Sequence, residues 1–368
     1  MTNGGKRIDV AVSGGGMWGT YHLLACREME ALGAARLKAI VSRTEKTAGR
    51  HAEAFGIAAY TDVREMFERE ELDAVTIATP DHLHREIALE ALRRGKHVLV
   101  EKPMDLTVAG CREMVQQAAG RGLLLQVDFH KRYDFNNVDA RSRVQAGKLG
   151  ELLYAYAYME DKIIVPQQWL ADWASHSSPF WFIGVHKVDL LRWITGREAV
   201  EVRAHARRGK LAALGIDTLD AVSAHILMEG GLPCTIDVSW VLPREFEAVV
   251  NQGTRLVGTG GIIEIDAQDR GYRTCVEGEG PSTPNFNAAF TADSPLGYKA
   301  VKGYFLEPIK HFLLNVGYLK GGGGLEGLRG RYPCGTDGLR VTEVACAVER
   351  SIRENRAVSL AEVQGERS

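Results

Sequence analysis

Between Ile8 and Phe129, five short apolar runs alternate with segments of helical periodicity, and this alternation limits the fold more than any other feature of the chain. The runs cover 8–12, 37–41, 73–78, 97–100 and 123–127. Each is nearly continuous and rich in β-branched residues or Leu, as expected of strands buried on both faces of a parallel sheet. Segments 17–32, 44–55, 62–70, 83–94 and 107–119 place apolar residues at three- and four-residue intervals, with Thr44, Thr61 or Asp62, and Thr107 as N-caps. Strand, helix, strand in this order calls for right-handed crossovers and an open doubly wound α/β sheet.

The first strand runs into Ser13-Gly14-Gly15-Gly16-Met17-Trp18-Gly19 and then a helix. This fits Gly-x-Gly-x-x-Gly at Gly14, Gly16 and Gly19. The first glycine permits a tight turn, the second admits a pyrophosphate, and the third allows close packing of helix on strand. The helix start adds unpaired N–H groups for the anion. Alone the motif is weak, since glycines populate ordinary turns; at the first βα junction of a βαβ series it reads as a dinucleotide site. At the end of the second strand, where an NAD site usually carries an acid, stand Val41-Ser42-Arg43-Thr44, with no carboxylate before Glu45. An arginine suits a 2′-phosphate, so NADP is expected over NAD, the bland alternative being that Arg43 is a solvated loop residue.

After Gln126 the pattern changes. A helix near 135–147 leads to a strand at 151–160 with tyrosines at 154, 156 and 158, so its two faces differ. A polar and aromatic loop (161–183) and a helix (184–194) follow. Alternating strands are expected near 199–207, 218–228, 232–241, 246–252, 262–265 and 272–277, with a hairpin at Gly230-Gly231. A loop at 278–300 and helices near 301–316 and 336–353 close the chain, separated by the loop Gly321-Gly322-Gly323-Gly324. This half reads as an α+β domain with a mostly antiparallel sheet.

Composition removes other classes. The 368 residues are about twice an ordinary domain, which points to two domains. The 45 Lys+Arg against 47 Asp+Glu leave a net charge of −2, without the positive field of a nucleic-acid or membrane binder, so small-molecule partners are expected. No run approaches the roughly 18 apolar residues of a spanning helix, and the first seven residues lack a signal-like apolar segment, so a cytoplasmic location is expected. The six cysteines form no metal-type pattern and read as core thiols; no metal is expected. His82 and His84, two apart at a turn, do not share a face as a metal pair would.

Three further segments accompany the glycine turn: Ala78-Thr79-Pro80-Asp81-His82-Leu83-His84, Glu101-Lys102-Pro103-Met104, and Gly184-Val185-His186-Lys187-Val188-Asp189-Leu190. Together, in this order and over nearly the whole chain, they resemble the glucose-fructose oxidoreductase / inositol dehydrogenase (Gfo/Idh/MocA) family. The resemblance implies an NAD(P)-binding Rossmann domain (1–128) and an α+β domain (129–368) with a large open sheet for substrate binding and oligomerisation. In the family the late helix, here about 338–353, packs back on the nucleotide domain. It implies hydride transfer between NAD(P) and a secondary alcohol or ketone of a sugar, cyclic polyol or sugar derivative. Met17, Trp18, Ser42, Arg43, Thr79, Pro80, His84 and Glu101 fall on the cofactor side with the three glycines; Lys102 reaches the reacting hydroxyl and His186 transfers the proton.

Chemistry supports the last two assignments. Alcohol oxidation needs a hydride acceptor and a group that takes the hydroxyl proton at one carbon. Lys102 directly follows a strand end, where ligands of open α/β sheets bind, and a histidine can exchange a proton at neutral pH. Taken alone, Lys102 would read as a solvated charge and His186 as a satisfied helix-start residue. Many relatives carry Asp four residues before that histidine; here the position is Phe182, so an inositol-type substrate geometry is not assumed. Tyr156, Tyr158, Trp169, Trp173 and Trp181 offer stacking faces for a sugar, His176 is a polar candidate, and Asp189 an orienting one. Lys131 and Arg132 read as phosphate contacts or hinge salt bridges. Alternative functions are redox-assisted glycoside cleavage with a recycled cofactor, and a non-catalytic NAD(P)/sugar sensor. A homodimer or homotetramer is expected, because the outer face of a large sheet with alternating apolar positions would otherwise expose an apolar patch; Val222, Ala224, Ile226 and Met228 form one such set and could equally face the helices.

Overall fold

A computed structural model of the protein describes residues 7–267, 274–276, 280–283, 285, 287–294 and 299–365. The chain forms two compact units: residues 1–105, 109–133 and 287–339, and residues 106–108, 134–286 and 340–368.

The first unit holds six parallel strands: β1 (Ile8–Ser13), β2 (Ala35–Val41), β3 (Ala58–Tyr60), β4 (Ala74–Ile77), β5 (His97–Val100) and β6 (Leu125–Val127). Their order is β3-β2-β1-β4-β5-β6, the doubly wound arrangement expected from the alternation. Between them run α1 (Met17–Ala31), α2 (Glu45–Phe55), α3 (Val63–Arg69), α4 (His84–Arg93) and α5 (Val108–Gly120). Thr44 caps α2 by accepting from Thr47 N–H, and Asp62 rather than Thr61 caps α3 by accepting from Arg64 and Glu65. Each cap of this kind contributes about 1 kcal/mol. β4 and β6 are wholly buried, in line with their unbroken apolar runs.

Residues 287–339, which a contiguous division assigns to the second half, belong to this first unit. The helix Glu307–Lys320 buries Ile309, Phe312, Leu313 and Val316 in the same core as Ile8, Val10, Val12, Leu23 and Leu99. That helix begins at 307 and not at 301, because Pro308 sits in its first turn and residues 299–302 pair as a strand with Phe290–Asp293. The region expected as a loop at 278–300 thus contains short strands, another being Gly280–Ser282. The main chain of β6 is continued by Val127 N–H donating to the Pro333 carbonyl.

In the second unit, α6 (Phe135–Gln145) precedes β7 (Leu152–Lys162), α7 (Val185–Thr195), β8 (Ala199–Arg207), β9 (Ala221–Met228), β10 (Leu232–Leu242), β11 (Val250–Gly258) and β12 (Gly261–Asp266). With Val358–Ser359 they form a seven-stranded sheet, order β12-β11-β7-β10-β9-β8 and then 358–359, antiparallel except for the β7–β10 pair. Gly230 and Gly231 take φ of +71° and +76° in the β9–β10 hairpin, as the sequence indicated. β11 begins four residues later than expected and runs through Gly253 and Gly258, whose lack of side chains obscured the alternation.

Val222, Ala224, Ile226 and Met228 are all buried within the chain, facing the same side as Leu232, Cys234, Ile236, Val238 and Trp240. The opposite, exposed side carries Leu153, Tyr154, Leu227 and Ile262 instead. Among the cysteines, 26, 111 and 234 are buried thiols and 334 and 346 partly so; the Cys275 side chain lies outside the described residues. No helix among the described residues is long and apolar enough to cross a membrane.

Candidate active site

The glycine turn joining β1 to α1 shows three distinct environments. At Gly14, φ is +118° and an added Cβ would lie 2.1 Å from the Ala78 carbonyl oxygen. At Gly19 it would lie 2.0 Å from the Gly14 carbonyl, so helix and strand can approach only without side chains. At Gly16 a Cβ would meet nothing within 4 Å, and this residue is the N-cap of α1 with no side-chain bond to the helix start. Open space in front of uncapped helical N–H groups is what a pyrophosphate requires. His51 of α2 lies 3.0 Å from the Gly15 carbonyl and steadies the turn. Its role was hidden in the sequence, where it appears only as a residue of an amphipathic helix.

At the end of β2, Ser42 N–H donates to the Tyr60 carbonyl while the Arg43 side chain is exposed. Met17 is exposed; Trp18 is half-buried and heads an aromatic stack. Its ring is 5.3 Å from that of His130, which stacks on Tyr304 at 5.8 Å, and Phe305 packs against Trp18 and His130 at 4.8 and 4.7 Å. Burial, and then the charges of Lys131, Lys102 and His22, hold the His130 imidazole well below its ordinary pKa, so it is neutral. Lys131 lies over the Tyr304 ring, and Arg132 forms a 3.1 Å ion pair with Asp337; both engage partners in their own unit.

Thr79 and Pro80 follow β4 and are partly exposed, whereas His84 is buried. Its ring nitrogens lie 2.9 Å from the Thr79 carbonyl and 2.7 Å from the Pro103 carbonyl, tying together the two loops that leave β4 and β5. The Lys102–Pro103 bond is cis.

Lys102 is buried at the carboxyl end of β5, and Glu101 turns inward. Glu101 Oε2 accepts from the Lys102 N–H at 3.2 Å, and Oε1 lies 3.4 Å from His22 Nε2 of α1. Asp128, just beyond β6, places Oδ2 3.6 Å from the same nitrogen. The three groups offer atoms within 4.8 Å of one another. Positions 22, 101 and 128 gave no sequence signal as a set, because only the strand order β1-β4-β5-β6 and the helix after β1 bring them together.

In the second unit, residues Phe180–Gly184 form a single π-helical turn that leads directly into α7. Such turns recur at functional sites because the wider turn re-aims the residues after it. Gly184 permits it, since an added Cβ would lie 2.8 Å from the Phe180 ring. His186 is the second residue of α7 and is buried. Its neighbour Lys187 is also buried and donates to the Gly253 carbonyl at 3.1 Å and to Thr254 Oγ1 at 3.4 Å, so that β11 fixes this end of the helix. Asp189 is buried 4.0 Å from Arg192, which makes a bidentate pair with Glu198 at 2.6 and 2.7 Å.

Phe182 packs edge-on to Trp173 at 6.0 Å and against Trp240 at 5.8 Å, an apolar wall. Trp181 donates from Nε1 to Glu349 at 2.6 Å and is a core residue. Tyr156 and Tyr158 stack at 5.9 Å on the more exposed side of β7, and burial with nearby carboxylates, Asp237 foremost, pushes the Tyr156 hydroxyl up to about 12. Trp169 and His176 are exposed.

Comparison with known proteins gives these elements a context. Residues 8–129 match the Gfo/Idh/MocA oxidoreductase family in its NAD-binding Rossmann fold, and residues 138–264 match the C-terminal domain of that family, together more than half of the chain. Inositol 2-dehydrogenase 2 of Saccharopolyspora erythraea is 32% identical over 208 residues, which is 56% of this chain and 59% of that protein. The chain therefore spans less than two thirds of that relative. The scyllo-inositol 2-dehydrogenase (NAD(+)) of Bacillus subtilis is 26% identical over 292 residues, 77% of this chain and 82% of that protein. The crystal structure of scyllo-inositol dehydrogenase from Lactobacillus casei with bound NAD(H) and scyllo-inositol shares the fold, with a TM-score of 0.78 at 22% identity over 97% of this chain and 100% of that one. With both of its domains matched and a glycine turn shaped for a dinucleotide, this chain belongs to the Gfo/Idh/MocA family of NAD-binding oxidoreductases.

Proposed function

We propose that the protein transfers a hydride between a nicotinamide cofactor and a secondary alcohol or ketone of a sugar, cyclic polyol or sugar derivative. The observation that carries this reading lies within the first unit. The glycine turn leaves β1 and Lys102 leaves β5, at the same edge of one parallel sheet, with β4 between them. Strands spaced about 4.8 Å apart put these two exits roughly 10 Å from each other, within reach of a single dinucleotide and the carbon beside its ring.

When bound, the oxidised nicotinamide supplies the hydride acceptor. Gly16 and the start of α1 receive the pyrophosphate. Lys102, held by Glu101 through its own N–H, donates a hydrogen bond to the reacting oxygen and stabilises the charge that develops there. His186, fixed at the start of α7, takes the hydroxyl proton in oxidation and returns it in reduction. Arg43 beyond β2 favours a 2′-phosphate, so NADP is the preferred cofactor. The Phe182 wall offers no hydrogen bond to a ring hydroxyl, which favours a sugar derivative with an apolar edge over a free inositol.

Thermal-shift screening of sugars, inositols and nucleotide sugars with each cofactor identifies ligands, and absorbance at the reduced nicotinamide band then follows turnover. Production of NAD(P)H from a polyol or sugar is expected. Binding of cofactor and sugar with no reduction or oxidation of either, in both directions, overturns the reading.

A further inference from the structure

Two buried carboxyl groups, Glu101 and Asp128, offer oxygens within 4.8 Å of each other and of a ring nitrogen of His22, and the charge of Lys102 acts on Asp128. Glu101 has its partners: the Lys102 N–H at one oxygen and His22 Nε2 near the other. Asp128 has fewer. It is 1% exposed, and its Oδ1 is buried without a hydrogen-bond partner among the described residues. A bare carboxylate oxygen in such a place costs several kcal/mol, and two buried carboxylates this close together repel one another.

We propose that Asp128 is a positioning residue that works as the neutral acid, leaving Glu101 as the sole carboxylate beside Lys102. The proton on Asp128 removes the repulsion that would otherwise swing Glu101 away from the Lys102 N–H. It also keeps a second negative charge from pinning the Lys102 ammonium away from the substrate oxygen. The groups facing Asp128 are His22 from α1, Glu101 and Lys102 from the end of β5, and Tyr133 from its own turn. Burial first and the Glu101 charge second raise the Asp128 carboxyl well above the usual carboxylate range, with Lys102 opposing. The functional part of this inference rests on Lys102 being the group at the reacting oxygen.

The test has two readouts on the full chain. Carbon-13 NMR of γ-carboxyl-labelled aspartate, with Asp128 assigned by its disappearance in Asp128→Asn, reads the proton directly and needs no substrate. Asp128 is expected to remain protonated through neutral pH and, in Glu101→Gln, to ionise at lower pH than in the wild type. Ionisation near 4, the ordinary range, overturns the proposal whatever the enzyme turns over. The pH profile of kcat is the second readout. Asp128→Ala is expected to lose at least about tenfold, Asp128→Asn to recover most of that loss, and the alkaline limb of Asp128→Asn to move up by more than about one pH unit. A limb that superimposes on the wild type overturns the positioning role, and if Asp128→Ala fails to fold, the NMR titration and the Asn profile still decide.

Discussion

The two sheets carry their chemistry in opposite ways. In the parallel sheet the strands have three to seven residues, and the central ones, β1, β4, β5 and β6, are buried on both faces for nearly their whole length, so their functional groups emerge where a strand ends. Backbone geometry makes that site: a glycine turn at β1, a lysine immediately after β5, and carbonyls held by His84 and His51. In the seven-stranded sheet the strands reach 11 residues and alternate buried with exposed positions, and the candidate groups project from a sheet face and from one helix. At Gly14 and Gly19 the first kind of site has no room for an added carbon, whereas on the exposed side of the second sheet side chains such as Tyr154 can be exchanged at little cost.

The contrast is broken most severely by removing the two proposed catalytic groups. Lys102→Met and His186→Ala should each lower kcat by about 10²- to 10⁴-fold while the Kd for NADH, measured by isothermal titration, stays unchanged. Near-normal turnover in the histidine variant would mean that the second unit supplies no chemistry. Gly14→Ala, which sets a methyl against the Ala78 carbonyl at a positive φ, should weaken dinucleotide binding by about 100-fold and lower Tm by several degrees. Unchanged calorimetry there would show that the turn is not backbone-limited.

Acid should strike the first unit through His130. Its imidazole is neutral when folded and protonates near 6.5 when unfolded, so the stability it permits is present above about pH 6.5 and declines below it, by at most about 1.4 kcal/mol per pH unit. Denaturation midpoints of the wild type and His130→Phe should converge as pH rises past 7 and diverge below 6; parallel curves would rule out this source. Arg43→Ala should shift the NADPH-to-NADH preference by about tenfold toward NADH, as read from the two KM values. The smallest effect belongs to the exposed face of the long sheet, where Tyr154→Lys should change stability by no more than about 0.5 kcal/mol.

Legibility follows the same division. Continuous apolar runs revealed every strand of the first sheet except β3, which is three residues long and too short to show a period. The second sheet was legible through β7 to β10, where alternation is clean, and shifted at β11, where glycines interrupt it. The glycine turn stood out because glycine spacing is local, whereas Lys102, which alone reads as a solvated charge, was singled out by the family resemblance of the segment around it. Glu101, assigned to the cofactor side by its neighbours, has its carboxylate turned toward His22, a direction that no local pattern encodes.

By itself the sequence determined the doubly wound sheet, the dinucleotide turn and the hairpin at Gly230-Gly231, since periodicity and the φ freedom of glycine act over a few residues. Tertiary structure alone decided that residues 287–339 belong with the first unit and that His22, Glu101 and Asp128 gather within 4.8 Å of one another. Those groups lie 27 to 106 positions apart, and their proximity is set by the order of strands in a sheet, a property of how whole elements bury one another.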